Sequence, residues 1–258
     1  MSGFEFSGKR VLVTGASRGI GYGIARAFAA AGAEVYVLAD TPDVHEAAGS
    51  LSAQSGRPVT GLQCDISDRA RVAESVGTLG PLDVLINNAG LERVTPILEP
   101  GAAVEETFRR IIDINVLGTY YVTREAAAAM APGARIVITA SVWGKSAEAE
   151  FSAYCASKHA NLGFMRALAR ELGGRGITVN AVCPGWVRTD ASLRSAEHMA
   201  GRRGGSREAL LESIVSVQAL PGLMQPEDVA GAYLFLASDA AANITGQALN
   251  VDRGELTC

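Results

Sequence analysis

Residues 10–21 read RVLVTGASRGIG, an apolar run that leads directly into a glycine-rich turn. The first five residues of this run are apolar or β-branched for the most part, which predicts a strand over 10–14, and the alanine-rich residues beyond the turn predict a helix over 19–31. A strand, a glycine-rich turn and a helix in this order are typical of the first unit of a dinucleotide-binding fold.

Each of the three glycines in this turn has its own expected structural role. Gly15 permits a tight turn after the strand, while Gly19 and Gly21 carry no side chain where a pyrophosphate and the sheet would approach the helix. The start of the helix offers free N–H groups and the positive end of the helix dipole to a phosphate. The spacing is G-x-x-x-G-x-G and not G-x-G-x-x-G, so an ordinary strand-to-helix turn is the alternative for this stretch on its own.

Short apolar runs alternate with alanine-rich stretches through the rest of the chain. Further strands are predicted at 34–39, 58–63, 83–86, 134–140, 177–182 and 247–251. Helices are predicted at 44–54, 68–78, 104–130, 153–172 and 226–238. Strands that are nearly all apolar fit a parallel sheet buried on both faces. We therefore predict an α/β fold, a Rossmann-like doubly wound parallel sheet of about seven strands with helices on both faces.

The composition argues against several classes of protein. The 258 residues are 48% hydrophobic, enough for a large core, and the net charge of -4 gives no general electrostatic footprint for nucleic acid or an anionic membrane. The four cysteines form no C-x-x-C pair and the three histidines do not cluster with them, so we expect no metal site. The N-terminal residues do not resemble a signal peptide and no uninterrupted apolar stretch is long enough to span a membrane, so we expect a cytoplasmic protein with no membrane partner.

The alternation of strands and helices continues to the C-terminus, which predicts one dinucleotide-binding catalytic domain over residues 1–258. The exception is 189–224, which is rich in glycine, arginine and serine and has a helical patch at 206–217. A long excursion inside a compact domain is often a lid or a binding loop, and we interpret this one as a substrate lid. A surface insertion is the alternative.

The second predicted strand ends at Asp40, 19 residues after Gly21. A carboxylate there can accept hydrogen bonds from the 2′-hydroxyl of an adenosine ribose and repels a 2′-phosphate, which favours NAD. Arg18 favours the opposite choice because an arginine in the phosphate turn can meet a 2′-phosphate, so NADP remains the alternative.

Tyr154 and Lys158 lie four residues apart in a predicted helix and therefore share one of its faces. A neighbouring ammonium stabilises a phenolate and lowers the pKa of a tyrosine, which makes proton exchange with an alcohol or a carbonyl feasible. A surface pair of little energetic value is the alternative. Ser141 follows the strand predicted at 134–140, where its hydroxyl could hydrogen-bond a substrate oxygen.

The set of motifs resembles the short-chain dehydrogenase/reductase family, in its single-domain branch of roughly 250 residues. The matching pieces occur in the family's order and cover nearly the whole chain: Thr14–Gly21, Asp65, Asn87-Asn88-Ala89-Gly90, Asn115, Ser141, Tyr154 with Lys158, and Pro184-Gly185. One departure is Arg253, which stands where the family often has a glycine.

The resemblance implies a role for each of four catalytic residues. Tyr154 would be the general acid and base, and Lys158 would lower the pKa of that tyrosine and hold the nicotinamide ribose. Ser141 would polarise the reacting carbonyl or hydroxyl, and Asn115 would hold a water that links Lys158 to solvent.

The resemblance also implies a coenzyme site, a substrate site and an assembly, which we expect to be a homotetramer. The implied coenzyme-binding residues are Gly15, Ser17, Arg18, Gly19, Ile20, Gly21, Asp40, Asp65, Ile66, Asn88, Ala89, Gly90, Tyr154, Lys158, Pro184, Gly185, Val187 and Thr189. The expected substrate-binding residues are Ser141, Trp143, Tyr154 and Trp186.

These residues together predict an NAD(P)-dependent oxidoreductase that moves a hydride between a secondary alcohol or ketone and nicotinamide. A small hydroxy acid, a sugar or a polyol is the expected substrate. The alternatives are an NADPH-dependent 3-oxoacyl thioester reductase and a non-catalytic NAD-binding module.

Overall fold

The computed structural model describes residues 3–257, and the strands within them form one parallel sheet of seven. The strands are β1 (Arg10–Thr14), β2 (Glu34–Ala39), β3 (Val59–Gln63), β4 (Val84–Asn87), β5 (Arg135–Thr139), β6 (Thr178–Pro184) and β7 (Ala248–Val251). Their order across the sheet is β3-β2-β1-β4-β5-β6-β7. This order confirms the predicted doubly wound α/β fold.

The strand order reverses beside β1, which pairs with β2 on one side and with β4 on the other. Val11 lies opposite Val35 of β2 and opposite Val84 of β4. The helices that follow β1 and β4 therefore pack on opposite faces of the sheet, which opens a crevice at the carboxyl ends of these strands.

Helices cover both faces of the sheet. They are α1 (Gly19–Ala30), α2 (Asp43–Ser55), α3 (Arg69–Gly77), α4 (Ala102–Ile112), α5 (Thr119–Ala129), α6 (Ser152–Gly173), α7 (Asp190–Arg203), α8 (Arg207–Ser216) and α9 (Pro226–Ala237). Side chains of α1, α2 and α9 pack on one face together with Val11 and Val13, and side chains of α3, α5 and α6 pack on the other with Leu12. The alternation along β1 thus supplies both core layers.

The long helix predicted at 104–130 is interrupted in the structure. A π-helical turn over Asp113–Gly118 joins α4 to α5. A Cβ on Gly118 would lie 2.6 Å from Cγ1 of Ile66, so the glycine allows the helix to approach the loop after β3. Asn115 lies within this turn, and π-turns inside helices frequently occur at functional sites, which is consistent with a role for Asn115 at the predicted site.

The segment 189–224 contains two helices, whereas the sequence pattern predicts only the second. The missed helix, α7, carries few apolar residues, and three of them, Ala196, Met199 and Ala200, are buried. Its ends are well defined: Thr189 and Ser192 form a capping box at the start, and Gly204 ends the helix in the left-handed conformation.

Candidate active site

A cavity of about 500 Å³ opens at the carboxyl ends of the strands. This volume lies within the range usual for small-molecule and coenzyme sites. Each expected coenzyme-binding and substrate-binding residue lines it, and so do Glu92, Arg93 and Arg194, which the coenzyme and substrate sets above do not include. Of the expected catalytic residues, Ser141, Tyr154 and Lys158 line the cavity, whereas Asn115 lies behind its wall.

The glycine-rich turn packs tightly against the loop that follows β4. A Cβ on Gly15 would lie 2.6 Å from Cα of Ala89, and a Cβ on Gly21 would lie 2.3 Å from the carbonyl oxygen of Gly15. Side chains also bridge the two loops: the hydroxyl of Thr14 accepts hydrogen bonds from the backbone N–H groups of Asn88 and Ala89, both at 3.0 Å.

The start of α1 is free to receive an anion. Its N-cap residue, Arg18, makes no side-chain cap, and its first turn contains no acidic residue. The N–H groups at this end of the helix therefore have no competing carboxylate from the helix itself. Gly15 and Gly21 keep the turn clear of side chains, so the residues present fit a coenzyme pyrophosphate.

Two carboxylates, Asp40 and Asp65, line the cavity near the ends of β2 and β3. Asp40 is exposed at the end of β2. Asp65, after β3, accepts hydrogen bonds from Arg110 at 2.6 Å and from the hydroxyl of Ser67 at 2.7 Å. Burial raises the pKa of Asp65, but these hydrogen bonds outweigh the burial and hold that pKa below its ordinary value. Asp65 is therefore a permanent hydrogen-bond acceptor.

Tyr154 and Lys158 project from α6 toward the same end of the cavity. The ammonium of Lys158 lies 5.5 Å from the centre of the Tyr154 ring and donates to the carbonyl oxygen of Thr139 at 2.8 Å. Ser141 caps the short helical turn Val142–Gly144, where its hydroxyl accepts a hydrogen bond from the N–H of Trp143 at 3.1 Å.

Burial shifts the titration of both groups toward their neutral forms. It raises the pKa of Tyr154 well above its ordinary value of 10, with a further rise from the negative charge of Glu92, while the Ser141 hydroxyl opposes the rise. It lowers the pKa of Lys158 from 10.5 to about 8, although the charge of Glu92 opposes that change. Burial therefore works against the lowering of the Tyr154 pKa that the helical spacing predicts.

Asn115 connects the π-helical turn to α6. Its amide accepts a hydrogen bond from the N–H of Leu91 at 2.7 Å, and it donates to the carbonyl oxygen of Leu91 and to the hydroxyl of Ser157. Ser157 in turn donates to the carbonyl oxygen of Tyr154 at 2.7 Å. Sequence reasoning missed Ser157, which was visible only as the residue before Lys158.

Aromatic side chains form the wall beside Tyr154. The Trp143 ring meets the rings of Tyr154 and Trp186 edge to face, with centroids 5.9 Å and 5.8 Å apart. Buried residues of α7 and α8 complete this cluster. An ion pair from Arg203 to Glu148 at 3.2 Å and a hydrogen bond between His198 and Glu150 at 3.1 Å join α7 to the loop before α6.

Between residues 3 and 257, no group of three or more histidine, cysteine or acidic side chains is arranged to hold a metal ion. Within the same part of the chain, none of the helices combines the length and the apolarity needed to cross a membrane.

Comparison with known proteins places this geometry in a family. The family model described as Enoyl-(Acyl carrier protein) reductase matches residues 15–255. The granaticin polyketide synthase putative ketoacyl reductase 1 of Streptomyces violaceoruber is 37% identical over 252 residues, which cover 94% of this chain and 91% of that protein.

Two solved structures are similar over almost the whole chain. The L-sorbose reductase of Gluconobacter frateurii, complexed with NADPH and L-sorbose, has a TM-score of 0.88 at 28% identity and covers 100% of both chains. The carveol dehydrogenase of Mycobacterium avium, in complex with NAD, has a TM-score of 0.87 at 28% identity, with coverage of 99% of this chain and 100% of that one. The chain belongs to the short-chain dehydrogenase/reductase family of NAD(P)-dependent oxidoreductases.

Proposed function

We propose that the protein catalyses reversible hydride transfer between a secondary alcohol or ketone and a nicotinamide coenzyme. The observation that carries this proposal is the meeting of Ser141, Tyr154 and Lys158 at the buried end of a cavity whose other end is the glycine-rich turn. The bound coenzyme supplies the hydride acceptor or donor. The chain supplies binding, orientation and the proton.

The proton in this reaction is assigned to Tyr154. In reduction, the carbonyl carbon gains a hydride and the carbonyl oxygen gains the phenolic proton of Tyr154, while the hydroxyl of Ser141 donates a hydrogen bond to that oxygen. Burial favours the protonated phenol, which is the form that reduction needs. The ammonium of Lys158 stabilises the phenolate left after the transfer, until a proton from solvent restores the phenol.

The coenzyme would be held by the residues that line the cavity from the turn to Thr189. The N–H groups at the start of α1 would meet the pyrophosphate, and Asp40 would accept a hydrogen bond from the adenosine ribose. We favour NAD on account of Asp40. NADP is the alternative because Arg18 lies in the same cavity, with Asp43 as a distant partner at 3.9 Å.

The substrate is proposed to lie against Trp143 and Trp186, with α7 and α8 of the lid segment 189–224 above it. The open cavity and the similar L-sorbose reductase favour a small hydroxylated substrate such as a sugar or a polyol, and a hydroxy acid is included in this class. The second candidate is a 3-oxoacyl thioester reductase, which the similarity to a putative ketoacyl reductase favours.

We also propose that four chains assemble into a homotetramer. Apolar side chains of the α4–α5 region remain partly exposed, namely Phe108, Leu117 and Tyr120 at 38%, 41% and 41%. Contacts between copies would cover them.

Replacement of Tyr154 by phenylalanine tests the proposed function. We expect Tyr154→Phe to abolish turnover, measured as the absorbance of reduced nicotinamide with a panel of sugars, polyols and hydroxy acids, and to leave coenzyme binding nearly unchanged. The matched control, Tyr22→Phe, removes a hydroxyl that bonds the exposed side chains of Ser50 and Gln54 outside the cavity, and it should keep full activity. Near-normal turnover by Tyr154→Phe contradicts the assignment.

A further inference from the structure

Glu92 is a carboxyl group in the cavity that the proton transfer described above does not use. It lies in the loop between β4 and α4 and lines the cavity together with Ser141 and Tyr154. Its Oε1 accepts a hydrogen bond from the hydroxyl of Ser195 in α7. Across residues 3–257, no group donates a hydrogen bond to its Oε2 and no cation forms an ion pair with it.

The negative charge of Glu92 reaches the reacting groups. Burial raises the pKa of Glu92, while the hydrogen bond from Ser195 and the positive charges of Lys158, Arg194 and Arg93 oppose that rise. The negative charge of Glu92 adds to the rise in the pKa of Tyr154 and opposes the fall in the pKa of Lys158. Because Glu92 lines the same cavity as Ser141 and Tyr154, its carboxyl group can face a substrate whose oxygen approaches the phenol.

A purely structural role does not account for this side chain. A link to α7 needs only one acceptor for the Ser195 hydroxyl, and a neutral amide would provide it without the cost of burying a carboxyl group. A counter-ion role is also unsupported, because the Lys158 ammonium is directed at the carbonyl oxygen of Thr139. The second oxygen of Glu92 thus remains an acceptor with no partner in the described part of the chain.

We propose that Glu92 is a specificity-determining residue that hydrogen-bonds a hydroxyl on the carbon next to the reacting carbonyl, so that the substrates are α-hydroxyketones and the corresponding vicinal diols. This assignment rests on the proposed hydride transfer at Tyr154. It narrows the substrate class to hydroxylated ketones and excludes ketones that carry a carboxylate at the same place.

The chemistry of the carboxyl group explains this selection. A hydroxyl both donates and accepts, so it can pair with Glu92 in either protonation state of the carboxyl. A substrate carboxylate would bring a second acceptor and a second negative charge against an ionised Glu92. A ketone without the hydroxyl would leave Oε2 desolvated and unpaired, and sites built around a hydrogen bond reject such analogues strongly.

Three small methyl ketones that differ only in the groups on the carbon next to the carbonyl test the proposal. Acetoin carries the hydroxyl, butanone carries neither group, and acetoacetate carries a carboxylate. With reduced coenzyme in excess, we expect the wild-type protein to reduce acetoin with a kcat/KM at least about tenfold above that for butanone, and acetoacetate to be the poorest substrate.

Two substitutions then separate the contribution of Glu92. In Glu92→Ala, the preference for acetoin over butanone should fall by about tenfold, mostly through KM. In Glu92→Gln, which keeps an acceptor for Ser195 but removes the charge, the kcat/KM ratio of acetoacetate to acetoin should rise by about tenfold. Glu197→Gln is the matched control, because Glu197 is an exposed carboxylate of α7 outside the cavity and its removal should leave all ratios unchanged.

The outcomes distinguish this proposal from the function on which it rests. Equal changes for all three ketones in Glu92→Gln overturn the specificity role, because they mean that Glu92 acts through Tyr154 or Lys158 and does not touch the substrate. Wild-type protein that binds coenzyme but reduces none of the three ketones overturns the assignment of substrate class and leaves the redox function standing. Coenzyme binding is measured by titration of the protein fluorescence with NADH and with NADPH. A protein that binds neither coenzyme overturns the proposed function itself.

Discussion

Replacement of Lys158 by methionine should make the coenzyme-free protein more stable near neutral pH, although it removes a residue on which the proposed catalysis depends. Lys158 is 3% exposed, and its burial lowers the pKa from 10.5 to about 8. At 1.36 kcal/mol per pKa unit, this lowering corresponds to about 3 kcal/mol of stability lost by burying the ammonium. Methionine is apolar, unbranched and similar in length, so it can fill the same space without that cost.

The pH dependence has a definite sign. Because the folded-state pKa of Lys158 is lowered, the unfolded chain binds more protons than the folded chain between about pH 8 and 10.5. The penalty in the wild-type protein is therefore fully present below pH 8 and decreases as the pH rises toward 10.5. The advantage of Lys158→Met should be about 2 kcal/mol at pH 7, once the lost hydrogen bond to Thr139 is allowed for, and should shrink at pH 10.

Urea denaturation of the two proteins at pH 7 and pH 10 checks this expectation. The exposed Lys9, which pairs with Asp83 at 3.1 Å, offers the control substitution Lys9→Met, which removes the same charge without emptying a buried site. A Lys158→Met protein that is less stable than wild type at pH 7, or a stability difference that does not change with pH, refutes the reasoning from burial. In that case the hydrogen bond to Thr139 and the charge of Glu92 contribute more than the burial removes.

Three further predictions concern the coenzyme site and the catalytic helix. Asp40→Ser should weaken NAD binding by about tenfold and strengthen NADP binding, because it removes both a charged acceptor and the repulsion of a 2′-phosphate. Fluorescence titration measures the two dissociation constants, and an equal loss of affinity for both coenzymes contradicts the ribose contact. Ser157→Ala should cost about 1–3 kcal/mol in urea denaturation, because the buried hydroxyl links Asn115 to α6, and unchanged stability would show that the link is dispensable. Gly21→Ala should abolish coenzyme binding, measured by the same titration, because the new Cβ would lie 2.3 Å from the Gly15 carbonyl oxygen. The control is Gly49→Ala in α2, where a Cβ has no atom within 4 Å, and it should raise the free energy of unfolding by about 0.5–1 kcal/mol.

The sheet and the glycine-rich turn were predictable because local sequence determines them. Strands buried on both faces must be apolar along their whole length, so β1, β2 and β5 stand out as short apolar runs. The turn is recognisable because Gly15 needs a positive φ of 63° and Gly21 needs to lack a Cβ. Both requirements concern residues that are close together in the chain, so the sequence shows them directly as glycines at fixed spacing.

The features that were missed depend on contacts between distant parts of the chain. The helix α7 has a polar sequence, and it is held by buried residues such as Ala196 against the aromatic cluster and by ion pairs to the loop before α6. The π-helical turn at Asp113–Gly118 reads as ordinary helix from its composition. In each case tertiary packing, and not local propensity, decides the conformation.

The partnership of Glu92 with Ser195 shows why the substrate side is harder to read than the coenzyme side. The two residues are 103 positions apart, and neither belongs to a motif with a fixed spacing. The coenzyme has one chemical structure, so the residues that receive its phosphates recur in a recognisable pattern, whereas each substrate needs its own arrangement of side chains. Burial raises the pKa of Glu92, and a substrate hydroxyl that pairs with its free oxygen would stabilise the carboxylate. Glu92, which belongs to no recognisable motif, is therefore the residue that we expect to select the substrate.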